Sequence, residues 1–111
     1  MTSWQALSDE AARWRDAGRT ADLWWRDDDA TEPSEALDRL LGVARGRPLA
    51  LAVMPFQATA ALSRRLASEP TVAVFQHGWS HQDHGSAPCR NEYPPSRPLA
   101  AVETELRNGS A

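Results

Sequence analysis

One short stretch, PLALAVMP at residues 48–55, decides the fold of this 111-residue chain. The stretch is apolar almost throughout and is bounded by a proline at each end. Apolar runs of this kind are typical of a parallel β-strand that other elements cover on both faces. The sequence therefore predicts a buried strand here and a fold of the α/β class around it.

Predicted helices and strands alternate on both sides of this strand. In chain order they are a helix over 3–18, a strand over 21–27, a helix that begins at 31–33, the strand over 48–55, a helix over 59–67, a strand over 71–76 and a helix over 99–107. Three β/α units in succession predict a parallel sheet with helices packed outside it. The length fits a single domain over residues 1–111.

Two of the predicted helices have a clear apolar face. In the first helix, apolar residues recur at three- and four-residue steps and predict a buried stripe, formed by Trp4, Leu7, Ala11 and Trp14. In the second helix, the same spacing gives a face formed by Leu37, Leu40, Leu41 and Ala44. Pro33 is expected in the first turn of this second helix, where its missing N–H is not needed.

Composition excludes several classes of function. The net charge is −3 and all twelve cationic residues are scattered arginines, so no nucleic-acid partner is expected. The longest apolar stretch, Leu49–Phe56, is far shorter than a membrane span, and the first residues do not resemble a secretory signal. The expected compartment is therefore the cytoplasm. Cys89 is the single cysteine, which excludes an internal disulfide and a cysteine-rich zinc module.

Residues that could bind a metal ion or transfer a proton lie at the ends of the first and the third predicted strands. Asp27, Asp28 and Asp29 end the first strand, and a loop over residues 77–98, rich in His, Gly and Pro, follows the third. The carboxyl ends of parallel strands share one rim of a sheet, and ligands of α/β proteins bind there. Both clusters are therefore expected on the same rim.

The three adjacent carboxylates require a cation or solvent around them. Like charges at this spacing repel, so a metal ion or an arginine such as Arg26 is needed if the carboxylates are to stay ionised away from water. Strand alternation directs Asp27 and Asp29 to one side and Asp28 to the other, so two of them reach one site only if the chain turns. The alternative is a solvated acidic turn that caps the next helix.

All three histidines of the chain lie within eight residues, at His77, His81 and His84. The i, i+4 spacing of His77 and His81 would put both imidazoles on one face of a helical turn, which suits Zn²⁺ or a similar cation. An acidic oxygen, most simply from Asp28, would complete three protein ligands and leave one position open, as in catalytic zinc sites. His84 is expected in the second shell or on the surface.

The segments Trp25-Arg26-Asp27-Asp28-Asp29 and His77-Gly78-Trp79-Ser80-His81 together resemble the polysaccharide deacetylase (NodB-homology) family. Its first motif is Thr-Phe-Asp-Asp and its second is His-(Ser/Thr)-x-x-His. The resemblance implies that Asp27 is the general base and that Asp28, His77 and His81 bind a divalent metal, usually Zn²⁺. Asp28 and Asp29 form a competing pair for these roles. Otherwise Asp29, like His84, would belong to the second shell.

The resemblance also implies a fold and a substrate class. The family domain is a distorted (β/α) barrel, a fold that usually exceeds ~200 residues, so this chain corresponds to its N-terminal half. The implied function is metal-dependent hydrolysis of N- or O-acetyl groups, or of a related amide C–N bond, on a carbohydrate or small amide. Because the later family motifs are absent, weak or no activity is expected from these residues alone, and the open sheet edge predicts self-association.

Two departures from the family pattern stand out: Trp25-Arg26 replaces Thr-Phe, and Gly78 replaces the Ser/Thr after the first histidine. Two other functions stay open. One is a non-catalytic metal-binding remnant that serves as an interaction surface. The other is an unrelated metal-dependent phosphoesterase, although the sequence lacks a Gly-rich or basic phosphate cradle.

Overall fold

Three parallel strands form the sheet of the computed structural model, which describes residues 2–111. The strands lie in the order β1 (Arg26–Ala30), β2 (Leu49–Val53) and β3 (Val72–Gln76). The helices are α1 (Ser3–Asp16), α2 (Glu35–Ala44), α3 (Ala60–Leu66) and α4 (Leu99–Gly109), and a 3₁₀ turn covers Pro55–Gln57. The predicted α/β class with an all-parallel sheet is confirmed. The sheet is open along β1 and β3, so barrel closure and association through an edge stay predictions.

The core is built around β2, as the apolar stretch predicts. All five residues of β2 are buried, and Leu49 and Leu51 are the largest side chains that are fully enclosed. Helix α2 contributes the buried residues Leu37, Leu41 and Ala44, and α3 contributes Leu62. The predicted apolar face of α2 is therefore confirmed, with Leu40 partly buried against the same cluster.

Hydroxyl side chains cap both core helices at their N-termini. The Ser34 side chain accepts the N–H of Leu37 at the start of α2, and the Thr59 side chain accepts the N–H of Leu62 at the start of α3. Such caps satisfy backbone N–H groups that have no partner within the helix. The predicted start of α2 at 31–33 was therefore wrong by a few residues, because the helix begins after Ser34 and leaves Pro33 outside it.

The first strand also begins later than predicted. It was expected over 21–27, but β1 covers Arg26–Ala30, so the three aspartates lie within the strand. The reason is the length of its neighbour, because β2 offers only five residues for pairing and Arg26 already pairs with Ala50 near the start of β2. The carbonyl of Trp25 still accepts the N–H of Ala50, whereas Trp24 precedes the ladder and is 71% exposed.

The buried stripe predicted for α1 was wrong. The helix forms and Thr2 caps it, but it has no buried residue, and Trp4 is 78% exposed. Its apolar side faces an open groove lined by residues from Leu7 to Leu23, and the sheet does not contribute to that lining. An amphipathic period predicts a helix but does not supply the surface that would cover it.

Neither helix nor strand occurs between residues 77 and 98, which form a loop stabilised by its own side chains. Within this loop the Asp83 carboxylate accepts the N–H groups of Gly85 and Asn91, and these hydrogen bonds lower the pKa of Asp83. Arg97 forms a bidentate ion pair with Glu105 and so attaches the end of the loop to α4. Among the described helices, none is long and apolar enough to cross a membrane.

Candidate metal centre

A bulge in β1 determines which aspartate reaches the rim of the sheet. Asp27 pairs with Leu51 and Ala30 pairs with Val53, so β1 contains one residue more than β2 over this interval. Asp29 lies in the bulge with φ of 72°, in the left-handed region. Bulges with one left-handed residue bend a strand and redirect its side chains. The bulge therefore breaks the alternation that would keep Asp29 on the side of Asp27.

The histidine loop starts at the same rim. The backbone N–H of His77 donates to the carbonyl of Val53 at 2.8 Å, which continues the pairing of β2 and β3 by one bond. His77 is therefore held by the edge of the buried core rather than by the loop alone. Its side chain is 25% exposed, less than that of Asp29 or His81.

Asp29, His77 and His81 converge on one point. The Asp29 Oδ1 atom lies 3.1 Å from His77 Nε2 and 3.4 Å from His81 Nε2. The two imidazole centroids are 5.3 Å apart, and one potential ligand atom from each of the three residues lies within 4.8 Å of the others. The side chains of Asp29 and His81 are about half exposed, at 52% and 51%. The cluster is therefore compact and open to solvent.

The two histidines do not meet through a helical turn, as the sequence had suggested. Residues 77–84 contain no helix, and His81 has φ of 57°. The backbone N–H groups of Trp79, Ser80 and His81 donate to the Glu92 carboxylate instead of to carbonyls four residues earlier. A tight turn around this carboxylate therefore brings the two rings together.

The remaining predicted site residues lie outside the three-residue cluster. Asp28, the expected third ligand, is hydrogen-bonded through Oδ1 to Nε of Arg26. Asp27, the expected base, is exposed on β1. The backbone N–H of His84 bonds to the carbonyl of Asn91 farther along the loop. The structure thus brings together His77 and His81 with Asp29, the member of the competing pair that lies in the bulge.

Glu92 is the functional candidate that the sequence analysis missed. It lies eleven residues after His81 in a stretch with no periodicity, so spacing alone gave no reason to connect the two. The one available signal was Gly78, one of the two positions at which the sequence departs from the motifs that it resembles. A Cβ atom at Gly78 would overlap the Glu92 carboxylate, and the residue has φ of 60°.

Arg26 contacts the His77 ring at Nδ1, whereas Asp29 lies near Nε2 of the same ring. Its Nη2 atom lies 3.2 Å from His77 Nδ1, and its Nε atom bonds Asp28. A guanidinium group can only donate, so His77 Nδ1 must accept and the ring proton must lie on Nε2, facing Asp29. A cation bound at Nε2 would require the ring proton to move to Nδ1, which could then no longer accept a hydrogen bond from Arg26. The positive charge of Arg26 would also repel the cation.

We therefore expect Arg26→Met to raise the affinity of the chain for Zn²⁺. Arg26 is partly exposed, so solvent screens its charge and the expected gain is about three- to tenfold. The measurement is a zinc titration in competition with a chromophoric chelator, beside Arg13→Met on the exposed surface of α1 as a matched control. Weaker zinc binding in Arg26→Met than in Arg13→Met would show that Arg26 supports the site instead of opposing it.

An acidic cleft adjoins the cluster through Asp29. It has a volume of about 360 Å³ and lies between β1 and the start of α2. Its walls combine carboxylates, two hydroxyl-bearing residues and apolar side chains of α2; among them are Asp27, Asp28, Thr31, Glu32, Ser34, Leu37 and Leu40. A concentration of negative charge at the mouth of a site raises the local concentration of cations.

The geometry thus gives one carboxylate and two imidazoles at the rim of a parallel sheet, beside a cleft of small-molecule size. Comparison with known proteins found no matching family model, no matching curated protein and no matching solved structure.

Proposed function

We propose that this chain binds a divalent cation, Zn²⁺ in the first instance, through Asp29, His77 and His81. We further propose that the site hydrolyses an acetyl ester, an acetamide or a related amide C–N bond on a carbohydrate. The observation that carries the proposal is the approach of Asp29 Oδ1 to both histidine Nε2 atoms, at 3.1 and 3.4 Å, from two different strand ends.

The donor set fits such an ion. Two imidazoles, which are borderline ligands, together with one harder carboxylate oxygen suit zinc and several neighbouring metals. Three protein ligands with room for a further group are typical of catalytic zinc sites, whereas structural sites are closed by four. The half-exposed side chains of Asp29 and His81 leave such room. When bound, the ion would supply Lewis-acid polarisation of the substrate carbonyl.

If Asp29 is the metal ligand, the roles move one residue along the chain, and Asp28 rather than Asp27 is the general base. Its carboxylate is held by Arg26, which also contacts His77, so base and ligand are linked through one side chain. A positioned carboxylate next to the reacting carbonyl can remove a proton from water as the bond to carbon forms. Asp27 becomes a wall of the cleft in this arrangement.

The cleft favours a neutral, hydroxylated substrate. The carboxylates of Asp27 and Glu32 can accept hydrogen bonds from sugar hydroxyls, and Leu37 and Leu40 offer an apolar surface for a sugar ring. A phosphate ester would bring negative charge to the same carboxylates and would be repelled. The cleft therefore favours an acylated sugar over the substrate of a phosphoesterase.

Zinc binding and hydrolysis can be tested separately with two neighbouring variants. We expect Asp29→Ala to weaken zinc binding by at least about 100-fold, because it removes a side chain that would bind the ion directly. We expect Asp28→Asn to bind zinc within about threefold of the wild-type chain. If the metal-loaded chain releases acetate from an N-acetylglucosamine oligomer, Asp28→Asn should lower that rate about 10²- to 10⁴-fold through loss of the base.

The outcomes separate the candidate functions. A wild-type chain that binds no zinc would overturn the proposal at its first step. One zinc per chain, lost in Asp29→Ala, would support the metal site. Because weak or no activity is expected from these residues alone, only acetate release that falls in Asp28→Asn would distinguish a hydrolase from the non-catalytic metal-binding alternative. Equal loss of zinc in Asp28→Asn and Asp29→Ala would contradict the assignment of the two aspartates.

A further inference from the structure

The Glu92 carboxylate lies at the centre of the turn that carries His81. Its Oε1 atom accepts three successive backbone N–H groups, from Trp79 at 3.0 Å, Ser80 at 2.7 Å and His81 at 3.2 Å. The Ser80 hydroxyl lies 3.5 Å from the same oxygen. Successive N–H groups that converge in a turn form a concave site for an anion, and here a side chain of the same protein fills it.

The surroundings of the turn are built to admit this carboxylate. Gly78 lacks the Cβ that would overlap Glu92, and its positive φ is a conformation that glycine adopts without steric cost. Ser80 is 8% exposed and is the only buried polar residue in the described part of the chain. The replacement of the family's Ser/Thr by Gly78 therefore has a structural explanation in the presence of Glu92.

The backbone of His81 depends on this contact. A histidine with φ of 57° is in a left-handed conformation that most residues avoid. The turn is held on its other flank, where the N–H of Phe56 donates to the carbonyl of Trp79 at 3.0 Å and the two rings pack edge to face. Glu92 is the group that bonds to the backbone of His81 itself, and the His81 ring reaches Asp29 from that backbone.

We propose that Glu92 is a positioning residue, which holds His81 in the left-handed turn and so brings its Nε2 atom to Asp29 and His77. Glu92 would not touch the ion, since it lies outside the cluster of possible ligand atoms and its Oε1 atom is engaged by backbone N–H groups. The effect of Glu92 on metal affinity rests on the metal site proposed above. Its effect on the turn and on the ring pair does not, and can be measured without metal.

Three variants test this role: Glu92→Ala, Glu92→Gln, and Glu103→Ala on the exposed surface of α4 as a matched control. We expect Glu92→Ala to shift the amide resonances of Trp79, Ser80 and His81, to remove the NOE between the His77 and His81 rings, and to weaken zinc binding about 10- to 100-fold. Glu92→Gln keeps an oxygen acceptor and should retain the NOE, with a smaller loss of zinc affinity. Glu103→Ala should leave every readout unchanged.

Each result decides the proposal. In Glu92→Ala, unchanged amide resonances or a retained NOE between the two histidine rings would overturn the proposal. So would unchanged zinc affinity in Glu92→Ala when its amide resonances show that the turn is lost. If Glu92→Ala does not fold, the test rests on Glu92→Gln. Zinc affinity in Glu92→Gln equal to that of Glu103→Ala would then overturn the proposed role of Glu92. If the wild-type chain binds no zinc, the proposed function fails, and the ring NOE alone decides the role of Glu92.

Discussion

The His77→Ala/His81→Ala double variant is expected to bind no zinc at concentrations that saturate the wild-type chain. It removes two of the three proposed ligands and leaves Asp29, a half-exposed carboxylate that alone would hold a divalent ion weakly. We expect a loss of affinity of at least about 1,000-fold, which corresponds to about 4 kcal/mol. The measurement is zinc content after dialysis, by mass spectrometry of the metal, together with a competitive titration.

The third histidine provides the matched control. His84→Ala removes an imidazole from the same loop, and His84 lies outside the cluster of three ligand atoms. We expect its zinc content to equal that of the wild-type chain. Neither substitution removes a buried side chain, so circular dichroism should report the same secondary structure for all three proteins. Zinc retained by the double variant, or lost by His84→Ala, would locate the ion elsewhere.

The approach of His77 to the aspartates could be predicted because the rule that places them is general, whereas the pairing of His77 with His81 was predicted through a helical turn that the structure lacks. Loops that follow parallel strands meet at one rim, so His77 after β3 and the aspartates of β1 had to lie near each other. The identity of the aspartate could not be predicted in the same way. It depends on one extra residue in β1 and on φ of 72° at Asp29. Neither feature can be read from a run of three identical aspartates.

The same division applies to the fold. The apolar spacing of α2 and the continuous apolar run of β2 each predicted a buried face, and both faces lie against one another in the core. The spacing of α1 predicted a similar face that the described chain does not bury. Periodicity records that a helix has an apolar side, but burial requires a second surface at the right distance, and that is a property of the tertiary structure.

The proposed site depends on a core much smaller than the molecule. His77 is tied to the end of β2 through the carbonyl of Val53, and the bulge that orients Asp29 is defined by the pairing of β1 with Leu51 and Val53. The ligands themselves are exposed or half-buried, and their local contacts are hydrogen bonds. The rim should therefore keep its geometry only as long as β2 stays packed between its neighbours.

For this reason Leu51→Ala is expected to have the largest effect on stability. Leu51 has no exposed surface and lies at the middle of β2. Removing a fully buried leucine side chain lowers the free energy of unfolding by about 3–5 kcal/mol, because apolar burial is lost and a cavity remains. That is a large part of the roughly 5–15 kcal/mol typical of a folded domain, and we expect urea denaturation to begin at much lower urea concentration.

Leu7→Ala makes the same chemical change on α1, where the side chain is 59% exposed, and should alter the free energy of unfolding by no more than about 0.5 kcal/mol. Equal destabilisation by both substitutions would mean that α1 packs into the core in solution. If Leu51→Ala also abolishes zinc binding at urea concentrations where Leu7→Ala retains it, the metal ligands depend on the packing of β2. Zinc binding that survives the loss of the β2 core would instead mean that the loop around Glu92 holds the histidines without the sheet.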